Sequence, residues 1–341
     1  MSLTRTTSIL LSLTLGGFLL IYLKSFLIPF AFSLGIWFLI RKFRKVIMKT
    51  IKMPFWLGSL LASMVILAVL YFFSELLTLQ VKAFMAPENL DKYNTNFQLI
   101  SEKFIGLVGD QALQSGISQI QDFNLASLIS NALGALTNLL GNSFMVILYL
   151  LFLILEENVI KLKFRAIYHD ESKREAALSI FRQIIKSVEN YITLKTLVSI
   201  ITGLASYFGL LILQIDFPIF WALLIFLLNY IPTIGSLIAT LFPTLMALMQ
   251  YPDQPVKSLL VLIIIGVIQV IVGNVIEPRV MGDNLNISPL VVILSLTLWG
   301  TLWGVVGMIL SVPIMVVVII VFSKIPSMRN LAVMMSSNGN V

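Results

Sequence analysis

Eight apolar segments, at roughly 7–23, 25–40, 54–79, 142–155, 188–214, 219–250, 257–276 and 289–322, decide what this chain can become. Several approach or exceed the ~20 residues that carry a helix across a hydrocarbon core. Apolar residues make up 58% of the 341 and charged residues 11%, less than half the charged share of a soluble domain. The sequence predicts an all-α, polytopic membrane protein with about six full transmembrane helices. The run at 8–23 has no small-residue cleavage site after it and leads into the next apolar run, so it reads as a first span rather than a signal peptide.

The polar stretches between the runs set orientation. Arg41, Lys42, Arg44, Lys45, Lys49 and Lys52 form one basic loop, and Lys161, Lys163, Arg165, Lys173, Arg174, Arg182 and Lys186 dominate a second over 156–187; both belong on the cytoplasmic side. Both termini, with Arg5 at one end and Lys324 and Arg329 at the other, come out cytoplasmic by the same count. Segment 80–141 is too polar to span. Its helix-spaced Leu125, Leu128, Ile129, Leu133 and Leu136 predict an external amphipathic helical region lying on the outer face or against neighbouring subunits, with a solute-capturing external domain as the alternative. The chain thus divides into N-terminal spans (1–79), the external region (80–141), a span with its basic loop (142–187), a transport core (188–323) and a cytoplasmic tail (324–341).

Two segments are too long for single spans. Residues 219–250 and 289–322 each exceed 30 residues and carry Gly and Pro near their middles; one helix of that length would cover ~45 Å or more against a ~30 Å core. Side-counting from the basic loops makes the first leave from and return to the outside, and the second to the cytoplasm. Both therefore read as hairpins, re-entrant or paired short spans, entering from opposite faces. They also resemble each other. Pro218 to Gly235 is 17 residues and Pro289 to Gly307 is 18, while Pro218 to Pro243 is 25 and Pro289 to Pro313 is 24. Upstream, NYITLK (190–195) parallels NVIEPR (274–279). Opposed, Gly/Pro-interrupted segments of this kind point to a solute site between inverted repeats.

Ionisable groups near hydrocarbon survive where they pair, line a cavity or do work. Glu277, Pro278 and Arg279 follow Asn274 in GNVIEPRVMGDNLNISP (273–289), where prolines and glycines predict a broken helix. Glu277 and Arg279 either pair with each other to cap a loop, or Glu277 titrates or meets a solute hydroxyl while Arg279 fixes an anionic group. Lys195 in segment 188–214 either snorkels to the interface or serves as a pathway cation. Asn229, Tyr230, Pro232, Thr233, Gly235 and Ser236 gather at the first hairpin tip, as a self-satisfied turn or as a half-helix end facing a polar ligand. Asp216 and Asp283 precede the opening prolines and read as helix N-caps. Gly203, Gly209, Gly300, Gly304 and Gly307 suit close helix packing; Gly300, Gly304 and Gly307 are followed by no Lys-Ser/Thr, so they form no phosphate loop. With no cysteine and one histidine, His169, in a basic loop, no transition-metal set, nucleophile–base pair or cofactor motif is present, and an enzyme is not expected. The net charge of +7 belongs to the orienting loops rather than to a nucleic-acid surface.

LKTLVSIITGL (194–204), FLLNYIPTIGSLIA (226–239), GNVIEPRVMG (273–282), and SPLVVILSLTLWG followed by GVVGMILSVP (288–313) together resemble the autoinducer-2 exporter family of bacterial multi-pass permeases. The N-terminal half fits that family in hydropathy alone, and the Asp283, Asn284 and Asn286 stretch departs from it by being more acidic and less glycine-rich. The resemblance implies export of autoinducer-2, a small polar furanone-derived signal, across the inner membrane without ATP. It also implies homo-oligomers, pentamers among them. Some relatives resemble monovalent cation/proton antiporters, so Na⁺ or Li⁺ exchanged for protons through Glu277 is the main rival. A non-transporting oligomeric scaffold that recruits partners through 80–141 is the second. The expected path runs between the hairpins, with Asn229, Pro232 and Gly235 at one gate, Glu277, Pro278 and Arg279 at the other, and Lys195 between them.

Overall fold

The computed structural model describes residues 3–108, 143–281 and 286–340. In chain order their helices are α1 (Leu3–Tyr22), α2 (Lys24–Thr50), α3 (Phe55–Phe84), α4 (Pro87–Val108), α5 (Ser143–Ile167), α6 (Glu171–Ile212), α7 (Pro218–Leu228), α8 (Ile234–Gln250), α9 (Pro255–Ile271), a π-helical turn (Val272–Ile276), α10 (Glu277–Met281), α11 (Pro289–Lys324) and α12 (Arg329–Met335). Among the described residues, five stretches are long and apolar enough, by length and composition, to cross a membrane: α2, α3, α6, the continuous rod Pro255–Met281, and α11. Their outward faces are apolar too. On α3, Trp56, Leu60, Met64, Val69 and Phe72 are all exposed, which lipid favours and water would not. The protein is an all-α polytopic membrane protein. Leu125, Leu128, Ile129, Leu133 and Leu136, and also Gly282, Asp283 and Asn284, lie outside the described residues.

The basic segments expected as loops are helical. Residues 41–50 continue α2, 156–167 finish α5, and 171–187 open α6, leaving only 168–170 between the last two. Lys, Arg and Glu are good helix formers, and charge pairs between these extensions hold them together. Arg44 Nη2 lies 2.6 Å from Glu157 Oε1, Lys45 Nζ 2.8 Å from Glu189 Oε1, and Arg41 Nε 3.4 and 3.6 Å from Glu189 and Glu157.

The chain forms two compact units, 1–67 with 138–193 and 283–341, and 68–137 with 194–282. In the first, α11 folds back on itself at Gly304 (φ 64°, ψ −145°), a region in which a side chain is strained. Ser295 Oγ donates to the Ser311 carbonyl at 3.1 Å across the two arms. A Cβ on Gly307 would stand 1.9 Å from the Trp299 carbonyl oxygen, so the arms approach as closely as they do only because that position is glycine. The backbone turn itself falls three residues before the expected glycine.

In the second unit α7 and α8 reverse through 229–233, with Thr233 at φ 60°. Gly235 repeats the role of Gly307: its Cβ would meet the Leu228 carbonyl oxygen at 1.9 Å. The core of this unit is aromatic. Phe84 packs against Tyr93, Phe217, Phe220 and Trp221 with ring centroids 5.2–6.3 Å apart, within the range of favourable ring pairs.

The helix expected to break near Gly273 and Pro278 does not. It runs on to Met281 through the π turn, in which the Glu277 N–H bonds to the Val272 carbonyl five residues back. Pro278 has no N–H to offer, and inserting one residue into the ladder lets the helix pass it with a local change of register.

Candidate functional site

From Leu194 onward α6 is an inverted amphipathic helix. Lys195, Ser199, Thr202 and Ser206 are buried, while Leu197, Ile200, Leu204, Phe208 and Leu211 are exposed. Steps of four, three and four residues keep the polar set on one helical face. In water this pattern would be inside out; in lipid it lines a polar interior.

Three of the singled-out residues meet that face. Lys195 Nζ donates to Glu277 Oε1 at 2.5 Å, with the lysine side chain 5% exposed and the glutamate 23%. One turn on, Asn229 Nδ2 donates to Ser199 Oγ at 3.1 Å, and the neighbouring Tyr230 hydroxyl reaches Thr196 Oγ1 at 2.8 Å. Small residues permit this closeness. A Cβ on Gly203 would touch the Ala222 carbonyl oxygen at 3.1 Å, and one on Gly209 would press Ile264 at 2.9 Å. The Lys195–Glu277 and Gly209–Ile264 contacts make α6 antiparallel to the α9–α10 rod. On that register Ser206 and Gln269 lie within about one turn of each other along the helix axes. Ser206 Oγ and Gln269 Nε2 are both buried, with no hydrogen-bond partner among the described residues. Buried polar atoms are nearly always satisfied, so these two, with Trp221 Nε1 of α7, are free hydrogen-bonding capacity in the interior of this unit.

The remaining expectations sort differently. Arg279, Asn274 and Pro278 are exposed, and Arg279 makes no ion pair among the described residues. Glu277 is therefore not its partner: the π turn places Glu277 against α6, and Arg279, two residues on along a helix, points elsewhere. Pro232 and Thr233 shape the tip, where the Thr233 carbonyl accepts from Ser236 Oγ at 2.8 Å. Asp216 is not a helix cap. Its carboxylate accepts from Lys92 Nζ at 3.0 Å, Tyr93 OH at 2.8 Å and Gln250 Nε2 at 2.8 Å, tying α4 to the ends of α7 and α8, while Phe217 stands at the cap position. Ser199, Thr202, Ser206 and Gln269 were not singled out from the sequence, although the spacing 195, 199, 202, 206 carried the signal.

The site thus offers hydroxyl and amide groups along a buried helix face, headed by one ion pair near the end of the apolar stretch. Such an arrangement suits a neutral, hydroxyl-bearing solute. Among the described residues no group of three His, Cys, Asp or Glu is placed to hold a metal ion.

Residues 9–327 match the family described as AI-2E family transporter. The AI-2 transport protein TqsA of Escherichia coli (strain K12) is 35% identical over 251 residues, 73% of this chain and 71% of that protein. A Haemophilus influenzae protein whose name assigns it to transport is 30% identical over 299 residues, 84% and 83% of the two chains. YhhT of Escherichia coli (strain K12), likewise named for transport, is 32% identical over 188 residues, 55% and 51%.

Proposed function

The chain belongs to the AI-2E family of transporters, and from that membership we propose that it exports autoinducer-2 across the bacterial inner membrane as a secondary transporter or facilitator. The cargo is taken from the relative named for AI-2 transport. The observation that carries the reading is the Lys195–Glu277 pair at the head of the buried polar face of α6. A polar solute leaving water loses hydrogen bonds worth about 1–3 kcal/mol for each group left unmatched. Ser206 and Gln269 would replace them, joined by Ser199 and Asn229 once their mutual bond opens. The ion pair closes the path at one end, and a solute hydroxyl or carbonyl that bonds to either charge lowers the cost of parting them. The proposal includes cytoplasmic termini, from the Lys and Arg excess at 41–52 and 161–186, and a homo-oligomer, pentameric as the resemblance implies.

Cation/proton antiport through Glu277 is the second reading. Against it, the carboxylate is already held by Lys195, so an entering Na⁺ or Li⁺ would first have to displace an ammonium. Liposomes containing the purified protein and an internal pH dye separate the two. Under an imposed proton gradient, autoinducer-2 should cross faster than in empty liposomes, with no dye response to Na⁺ or Li⁺. A cation response abolished by Glu277→Gln would establish the antiporter and remove the export reading.

A further inference from the structure

The first unit holds a cavity of about 990 Å³, near the upper end of the range for small-molecule sites. α2, α5, α6 and the second arm of α11 supply most of its lining, and α2 and α5 carry the same gradient. Along α2 the lining passes from Leu34 to Lys45 and along α5 from Leu153 to Lys161, while α6 lines it from Leu178 to Ile192 with Arg182, Lys186 and Glu189 set among apolar residues. The lining is thus apolar towards Leu34 and Leu153, joined by Pro313, Ile314 and Val317 of α11, and charged towards Lys45 and Lys161. The change falls where the apolar spans give way to the basic helix extensions, which is the level of lipid headgroups.

The charged end has more cations than its carboxylates can use. Arg41, Lys45, Lys161, Arg182 and Lys186 share it with Glu156, Glu157 and Glu189. Glu189 is taken by Lys45 and Arg41, Glu157 by Arg44 and Arg41, and Glu156 by Lys163, while Arg182 lies 3.7 Å from Glu175, outside the lining. Lys161 and Lys186 have no ion-pair partner among the described residues. Trp37 Nε1 and Arg41 Nε, both buried and both on lining residues, make no hydrogen bond.

We propose that this cavity seats an anionic phospholipid, with an acyl chain along the Leu34–Val317 end and the phosphate between Lys161, Lys186 and Arg182. Basic pockets between spanning helices at headgroup level hold anionic lipids in this way. A free phosphate would leave the apolar end empty, and a small polyol there would bury hydroxyls without partners. The inference is independent of the transported solute, because the cavity lies wholly within the first unit and the Lys195–Glu277 site within the second.

The test uses the full-length protein, delipidated and titrated with phosphatidylglycerol or phosphatidylcholine, with bound lipid counted by native mass spectrometry. Phosphatidylglycerol should bind the more tightly. Lys161→Gln and Lys186→Gln, both at exposed positions, should each weaken it about fivefold, and both together about twenty-fivefold, at roughly 1 kcal/mol per surface charge. Lys161→Arg should restore binding. Gly35→Phe, at a lining position where a Cβ has room, should weaken binding of both lipids by occupying the acyl end. Equal binding of the two lipids, or no effect of the lysine changes, would overturn the proposal. Inorganic phosphate that competes fully, together with an inert Gly35→Phe, would make the occupant a soluble phosphate compound and overturn it equally.

Discussion

Glu277→Gln is the most informative single change, because the two halves of the Lys195–Glu277 pair differ in their access to water. The lysine side chain is 5% exposed and the glutamate 23%. Neutralising Glu277 strands a buried ammonium, and breaking a buried pair in that way costs about 3–5 kcal/mol. Lys195→Met strands a carboxylate that still reaches solvent, with a smaller penalty of about 1–3 kcal/mol. Removing both leaves no uncompensated charge, so Lys195→Met combined with Glu277→Gln should recover most of the loss. At roughly 2 °C per kcal/mol for a long chain, thermal unfolding of the purified protein should show Tm falling by about 6–10 °C for Glu277→Gln and about 2–6 °C for Lys195→Met, with the double variant above Glu277→Gln alone. In liposomes the double variant should leak autoinducer-2, since the closure is gone while the fold survives. Additive losses, or a Lys195 change more damaging than the Glu277 change, would mean that the charges act separately and that the pair closes nothing.

Gly235→Ala and Gly307→Ala should each prevent a hairpin from closing, because the new methyl would sit 1.9 Å from a backbone carbonyl; losses above about 4 kcal/mol, seen as little or no folded protein on size exclusion, are expected. Gly304→Ala meets no atom and should cost only the backbone strain, about 1–3 kcal/mol. Burial above all, then the hydrogen bond to Asp216 and that carboxylate's charge, push the Tyr93 hydroxyl above its ordinary value near 10.0. Because the folded value is the higher one, its stabilising contribution is complete below pH about 10 and is lost as pH rises further; denaturant melts between pH 8 and 11 should show the decline, and Tyr93→Phe should flatten it. Ser206→Ala and Gln269→Met should leave Tm unchanged or raised, since each removes a buried atom with no partner, yet slow autoinducer-2 efflux from liposomes. A fall in Tm with efflux unchanged would make both residues structural.

The membrane class and both hairpins were legible because apolar run length and Gly/Pro interruption act locally. Gly235 and Gly307 could be picked out as inner glycines by spacing alone, and the structure gives them one geometry. The extent of the helices was less legible: basic residues mark where a span leaves lipid, and α2, α5 and α6 continue well past that boundary. Lys195 and Glu277 were each visible as charges in apolar surroundings. Their pairing was not, since it joins residues 82 apart and depends on a π turn that no short-range pattern announces. Arg279 misled for the same reason, as nearness in sequence to Glu277 suggested a partner that helix geometry turns away. Asp216 read as a cap because Pro218 follows it, whereas its ties to Lys92 and Tyr93 span more than 120 residues.

The π turn at Val272–Ile276 stores one residue more than an α-helix would hold there. Residues beyond it are held at a phase set by that insertion. Were the turn to relax to ordinary α geometry, everything from Glu277 onward would rotate by about 100° and shift by about 1.5 Å, carrying the carboxylate off Lys195 while the helix stayed whole. A screw-like slip within one rod can therefore break the ion pair with no hinge, no loop and no loss of secondary structure.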